Sequence, residues 1–381
     1  MPSVELPPAF NWPAAVELAD RHALFPLLGR ALRRGGLAGI PRAAAAEIER
    51  RADAAARQAL LLTAEMLRIL DGLERAGVPA LPYKGPALAM QAFGDPRLRV
   101  SGDLDFLTRP EDYPAARAAL ESLGYRQWWR LGRDQDRRFV AADACHVFQH
   151  ERLQLVVELH WRLLHRAYAL PLESRDLMAR CRATDCLGAP IRTMSSEDTL
   201  IALCVHGAKH RWDRMSWIAD VAALLWRRKR DDWPELADRA ATLGVGRVLA
   251  LGVGVARELM GCPVPEQLLQ PTDSDTVRQQ ALGEIEARTG LSPYEPPGSV
   301  VEAGFYRRLM DRPMDRALFW PRWVLEPGRR DFAALPLPGW LFPLYRVARP
   351  ARLAGRAAVG AARRMTNGRG GSPTRAAADG N

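Results

Sequence analysis

Apolar positions recur at helical spacing through the first part of the chain, from about Pro7 to Gly77. Between Ala43 and Leu73 a stretch rich in Ala, Glu, Arg and Leu repeats Leu60, Met66, Leu67, Leu70 and Leu73 with a helical period. Gly77-Val78-Pro79 stops it. From Pro79 to about Leu164 the pattern alternates between short apolar runs and helical segments. It predicts a strand at Leu81, a helix over 86–93, a strand over 104–108 and a helix over 113–123. After Gly124, residues 139–150 and 153–161 predict a hairpin turning near Glu151-Arg152. The expected product is a small mixed sheet with helices on one face. At Ser195-Ser196-Glu197-Asp198 a capped start opens another helix, and 231–326 reads as predominantly helical, a second domain or a cap over the sheet. The pattern divides the chain into an N-terminal helical region (1–78), a mixed core (79–194), a C-terminal helical domain (195–330) and a basic Pro- and Arg-rich tail (331–381). The fold class is α+β.

At 381 residues, with 48% hydrophobic and 26% charged residues, the chain has the composition of a soluble globular protein with room for two or three cores. Its net charge of +10 first suggests a nucleic-acid partner. The distribution argues otherwise. Nine arginines against two aspartates lie between Arg330 and the end, a surplus of seven that leaves about +3 for the preceding 329 residues. Polynucleotide binding by the core is therefore not favoured. The tail reads first as a mobile solubilising segment; its alternative, up to Arg364, is a basic amphipathic helix with weak affinity for an anionic membrane surface. Cys145, Cys181, Cys186, Cys204 and Cys262 form no Cys-x-x-Cys pair, and Met1-Pro2-Ser3-Val4-Glu5 lacks a signal peptide's basic start and apolar centre. The expectation is a cytoplasmic protein with reduced thiols. No apolar run reaches membrane-spanning length.

The chemistry concentrates between Leu81 and Trp161. If Asp103-Leu104-Asp105 and Val157-Glu158-Leu159-His160 are strands, Asp103 and Asp105 share a face, as do Glu158 and His160. Three carboxylates so placed outline a divalent-metal site. Phosphoryl and nucleotidyl transfer use two Mg²⁺ ions roughly 3.5–4 Å apart, and such hard cations take carboxylate oxygens. Asp103 and Asp105 would bridge the metals, and Glu158 would be third ligand or general base. Upstream, Lys84-Gly85-Pro86 opens a helix: Gly85 lets backbone amides approach a phosphate, the helix N-terminus favours its charge, and Lys84 adds a cation. An Asp-x-Asp alone is more often a solvated loop, so the ordered set carries the reading.

That set, Lys84-Gly85, Asp103-Leu104-Asp105-Phe106-Leu107, Gly124-Tyr125 and Val157-Glu158-Leu159-His160-Trp161, resembles the uncharacterised nucleotidyltransferase family of the DNA polymerase beta superfamily. The later His206-Gly207-Ala208-Lys209-His210-Arg211-Trp212, Trp217-Ile218-Ala219-Asp220 and Leu335-Pro336-Leu337-Pro338 extend the resemblance over about Leu60 to Leu353. One departure is Lys84-Gly85, where the wider superfamily has Gly-Ser. The family shares that departure.

The resemblance implies a polymerase-beta-like core with flanking N-terminal helices and a C-terminal helical domain, in a bacterial-type enzyme. It implies transfer of NMP from a nucleoside triphosphate, ATP included, to an acceptor, with release of pyrophosphate and with Mg²⁺, or Mn²⁺ in its place, as cofactor. The acceptor is open among a small molecule, a natural-product peptide, a glycan precursor and a protein, and the sequence fixes no oligomeric state. Rival readings are a toxin-like enzyme acting on tRNA or protein and a catalytically silent nucleotide-binding scaffold. Arg97 and Arg99, before the aspartates, are candidates to clamp phosphate, or to pair with Asp95 or Asp103. His160 is the better functional candidate of the pair His160 and His165. His206 and His210, four apart on a helix, lack the third ligand a zinc site needs; with Lys209 they are expected at the nucleotide or acceptor pocket, or as packing residues with Asp220 as a partner. Trp161, Trp212 and Trp217 are expected in the core, with stacking on a base as the alternative.

Overall fold

The computed structural model describes residues 10–355 apart from 36, 38, 230, 231, 270–273, 290–298 and 336. Helices α1 (Trp12–Arg21), α2 (Phe25–Arg33) and the long α3 (Arg42–Arg75) precede the sheet. Then come β1 (Ala80–Pro82), α4 (Gly85–Phe93), β2 (Asp103–Thr108), α5 (Tyr113–Ser122), β3 (Arg126–Gln127), α6 (Arg133–Ala142), β4 (Cys145–His150) and β5 (Leu155–His160). The five strands form one mixed sheet in the order β1-β2-β5-β4-β3, with β2 and β5 parallel and the other neighbours antiparallel. The fold is therefore α+β, as expected. Beyond it lie α7 (Ser174–Ala179), the hairpin β6 (Arg182–Cys186) and β7 (Ala189–Thr193), and helices α8 (Ser196–Lys209), α9 (Met215–Arg227), α10 (Trp233–Leu243), α11 (Gly246–Met260), α12 (Ser274–Thr289), α13 (Ser299–Arg308), α14 (Pro313–Leu325) and α15 (Arg329–Ala334).

The sheet's first face is apolar. Leu104 and Phe106 of β2, Phe148 of β4 and Val157 and Leu159 of β5 pack with Met66, Ile69 and Leu73 of α3 and with Tyr113 and Leu120 of α5. Burying a side chain such as Phe106 is worth ~1.5–3 kcal/mol. A one-residue slip of β2 would exchange Leu104 and Phe106 for Asp103 and Asp105, losing several such increments and burying two carboxylates among rings. The hydrophobic core thus fixes which face carries the acids.

Two expectations are corrected. Residues 139–142 lie in α6 rather than in a strand, and the hairpin begins at Cys145. Helices also cover part of the second face: Leu81, Tyr83 and Leu107 join Leu200, Leu203 and Cys204 of α8 and the helices beyond. Helices of the chain after Ser195 thus pack onto the sheet. Ser195 caps α8 as read, its hydroxyl accepting from the Asp198 amide at 3.2 Å. At the other end of α8 the chain reverses through Arg211 and Trp212, both at positive φ, and the Trp212 indole lies flat over Gly207, where a Cβ would fall 2.5 Å from the ring. That closure sets the position of His206 and Lys209. Trp161 and Trp212 are both fully buried.

The last described segment returns to the sheet's first core. Phe332 of α15 packs edge-on to Phe139 at 5.1 Å, and Tyr345 packs on Phe332. Arg349 and Arg352 hold Asp331 at 2.5 and 2.8 Å. The amphipathic-helix expectation for the tail lies in part outside the described residues. No described helix is long and apolar enough to cross a membrane.

His146 sits on the apolar face. Its Nδ1 accepts the Tyr113 hydroxyl at 2.6 Å, leaving Nε2–H to donate to the Trp129 carbonyl at 3.2 Å. Burial pushes its pKa from 6.5 down to about 3. The unfolded chain therefore takes up a proton that the folded chain refuses, and stability falls by up to ~1.4 kcal/mol per pH unit between those values. His146→Gln is expected to flatten that slope, sparing about 2 kcal/mol of the loss between pH 7 and 5. Urea midpoints across pH for both proteins would show it.

Candidate active site

The parallel pairing of β2 with β5 does what the sequence alone left open. Asp105 is the register partner of Glu158 and Leu107 of His160, so Asp103, Asp105, Glu158 and His160 all belong to the second face. Antiparallel β4 adds Cys145, register partner of His160, to the same face. Asp105 is 2% exposed, His160 6% and Cys145 7%, whereas Asp103 and Glu158 are partly open.

Lys84 precedes Gly85, the first residue of α4, whose φ of +55° is a conformation that side chains with a Cβ resist at a cost of ~1–2 kcal/mol. This turn brings the Lys84 ammonium to Asp105 Oδ1 at 3.1 Å. His160 Nε2 lies 3.2 Å from the same oxygen and 3.1 Å from Glu158 Oε2, while Nδ1–H donates to the Arg162 carbonyl at 3.3 Å. Arg329 of α15 reaches Glu158 Oε1 at 3.4 Å, across 171 residues of chain.

Charge follows from this geometry. Burial and the neighbouring Asp105 push the Asp103 carboxyl up to about 6. For Asp105 burial acts in the same direction, but Lys84 and His160 outweigh it and hold the carboxyl below its ordinary range. Glu158 is likewise raised by burial, then brought down to about 2 by the His160 hydrogen bond and charge. His160 resists burial through its two carboxylate partners, and its pKa is raised. Lys209 is lowered by burial and by the cations Arg329 and Lys84. A cluster of three cations thus borders three acids.

Asp105 Oδ2 is buried without a hydrogen-bond partner. An acceptor with an unused lone pair, beside two further carboxylates on one face, is costly unless a cation completes it. The oxygen-rich donor set of Asp103, Asp105 and Glu158 fits a hard divalent ion.

The remaining candidates stand in different places. Arg97 is exposed and chelates Asp95 at 2.9 Å. Arg99 is 12% exposed, pairs with Asp220 at 2.9 Å and with Ser101, and lies close enough to Asp103 to lower its pKa. Asp220 is thus committed to Arg99 rather than to the histidines. The His206 and His210 rings lie 4.9 Å apart, tilted to each other, beside Trp217, which meets His206 edge-on, and His210 Nδ1 is 3.4 Å from Glu302. Burial, followed by Lys84 and His210, drives the His206 pKa well down, so its ring is neutral. The sequence reading missed Cys145 and Arg329 as neighbours of Glu158. Only strand register reveals the first, and only tertiary folding brings the second.

No curated protein matches this chain. Among solved structures, it is similar to ANT(2″)-Ia in complex with adenylyl-2″-tobramycin, at 15% identity over 48% of this chain and 98% of that one, with a TM-score of 0.36. It is also similar to an antigenic nucleotidyltransferase-like protein from Paracoccidioides brasiliensis, at 12% identity over 50% and 91%, with a TM-score of 0.30. The family model described as uncharacterised nucleotidyltransferase matches residues 8–261, about two thirds of the sequence and every strand of the mixed sheet. On that match the chain belongs to the uncharacterised nucleotidyltransferase family.

Proposed function

We propose that the protein is a Mg²⁺-dependent enzyme that transfers NMP from a nucleoside triphosphate to an acceptor hydroxyl or comparable nucleophile, releasing pyrophosphate. The observation that carries this reading is the buried, unpartnered Oδ2 of Asp105 on the face shared with Asp103 and Glu158. Asp103, Asp105 and Glu158 would hold the metal, with Mn²⁺ able to replace Mg²⁺; when bound, it neutralises phosphate charge and supports both attacking and leaving oxygens. The backbone at Gly85 and the α4 N-terminus receive the phosphates. Lys84 neutralises Asp105 in the free protein and turns to phosphate when the acids gain another partner. Lys209, crowded by two cations, gains most from an incoming anion. His160 orients Asp105 and Glu158 through Nε2, held in place by Arg162.

Arg329, paired with Glu158 in the free protein, would add a further phosphate contact where Glu158 holds the metal. Arg329→Ala is expected to weaken triphosphate binding about 10-fold, ~1.4 kcal/mol, with Arg329→Lys intermediate. Nucleotide titrations of the three proteins would measure it; equal affinities would remove Arg329 from the site.

The reading is tested by thermal unfolding with each nucleoside triphosphate, with and without Mg²⁺. Binding to the native state raises the midpoint by mass action even when the acceptor is unidentified. A Mg²⁺-dependent shift selective for one triphosphate supports the enzyme and names its donor. Absence of any shift in folded protein overturns it in favour of a silent scaffold. Label entering RNA or protein, with growth arrest on expression, would identify a toxin-like member.

A further inference from the structure

The acid face carries one group that nucleotidyl transfer does not use. Cys145 Sγ, a Glu158 oxygen and a His160 ring nitrogen all lie within 4.8 Å of one another, the one such cluster of three metal-ligating side chains among the described residues. Register explains it: Cys145 pairs with His160 across β4 and β5, Glu158 lies two residues back on the same face, and Asp105 pairs with Glu158 on the far side. The His160 ring is oriented as a ligand. Because a carbonyl only accepts, Nδ1 keeps its proton for Arg162, and Nε2 is turned toward Asp105 Oδ1 and Glu158 Oε2. A neutral ring would point a lone pair at two carboxylates. Only positive charge at Nε2, a proton or a metal ion, makes that arrangement favourable.

The donor set differs in kind from the oxygens that suit Mg²⁺. Thiolate, imidazole and carboxylate together select a borderline-soft ion, for which tetrahedral coordination places ligand atoms roughly 3.3–3.8 Å apart. His160 Nε2 and Glu158 Oε2, 3.1 Å apart, are already that close, and the longer separations, up to 4.8 Å, need to close by at most roughly 1–1.5 Å.

We propose that Cys145, His160 and Glu158, with solvent as fourth ligand, form a site for a borderline-soft divalent cation, best matched by Zn²⁺. The site shares Glu158 with the oxygen-ligand set, so Zn²⁺ occupancy excludes the Mg²⁺-nucleotide complex. On binding, the Cys145 thiol proton and the proton at His160 Nε2 pass to solvent, and the metal keeps its oxidation state. Lys84, Lys209 and Arg329 nearby weaken the attraction for a cation, which makes the site a reversible one rather than a structural zinc centre. Metal binding stands independently of the nucleotidyl-transfer reading; the competition rests on it.

Co²⁺ is the probe. Metal-free full-length protein is titrated with Co²⁺ in a large excess of Mg²⁺ and without nucleotide, while absorption is recorded. The expected result is one equivalent bound, with tetrahedral visible bands and a thiolate-to-cobalt charge-transfer band, all erased by Zn²⁺. Cys145→Ser and Cys145→Ala, each checked for folding by its unfolding midpoint, should lose the charge-transfer band and bind at least ~10-fold more weakly. Asp103→Asn, outside the proposed ligand set, should leave the spectrum unchanged. Absence of the charge-transfer band in folded wild type overturns the site, as does its persistence in the Cys145 variants or an equal dependence on Asp103. The nucleotide-induced thermal shift, read on the same samples, separates the two claims: cobalt bands without any nucleotide shift would sink nucleotidyl transfer and leave the metal site standing. A nucleotide shift that persists at saturating Zn²⁺ would sink the competition alone.

Discussion

Asp105→Asn is expected to abolish the Mg²⁺-dependent triphosphate shift and to lower NMP transfer by at least about 10²–10³-fold. That magnitude follows from removing one preorganised charge-stabilising group, worth ~3–4 kcal/mol in a water-poor site. The expectation is sharper here than for a surface acid, because Asp105 is 2% exposed and one of its oxygens has no other partner. The substitution also deprives Lys84 and His160 of their shared carboxylate oxygen, so the variant's unfolding midpoint should fall even without ligands. Retention of full nucleotide binding in a folded Asp105→Asn protein would place the metal elsewhere.

Asp103→Asn should lose transfer to a similar degree while moving stability the other way. Burial and the Asp105 charge raise the Asp103 pKa from 3.8 to about 6, so above that range its carboxylate is ionised at a cost the unfolded chain does not bear. Removing the charge is expected to stabilise the metal-free protein by about 1–3 kcal/mol at pH 8. The sign is fixed by the direction of the shift: the gain is absent below pH 3.8, grows toward about 6 and then levels off. Urea denaturation across pH, in chelator, would trace it. A gain of stability joined to a loss of function separates an acid kept for ligand binding from one kept for folding.

These two aspartates were legible in the sequence because a strand has a period of two. Asp103 and Asp105 had to share a face, as did Glu158 and His160, and the apolar residues between them had to take the other. The union of the two pairs was not legible. Nothing local in β2 says that it lies parallel to β5, or that Asp105 stands opposite Glu158. Phe139 and Val140 misled the strand assignment because a short apolar run fits a buried helix as well as a strand. The β6-β7 hairpin escaped notice because its turn, Leu187-Gly188, places a leucine at φ +55°, where asparagine or aspartate would have advertised it. Arg329 follows a Pro-Gly and carries no periodic signal at all; its role emerges only from tertiary folding.

The return of the C-terminal segment to the first core also has a consequence for synthesis. β5 ends at His160, yet Phe332 and Tyr345 complete the aromatic packing around Phe139. At ~5–20 residues per second the ribosome needs roughly 10–40 s to make that intervening stretch. Throughout it the emerging sheet has its acids in register but lacks both the cover of α15 and the counter-charge of Arg329. The nascent chain is then at its most exposed to aggregation, and chaperone dependence should concentrate in that interval.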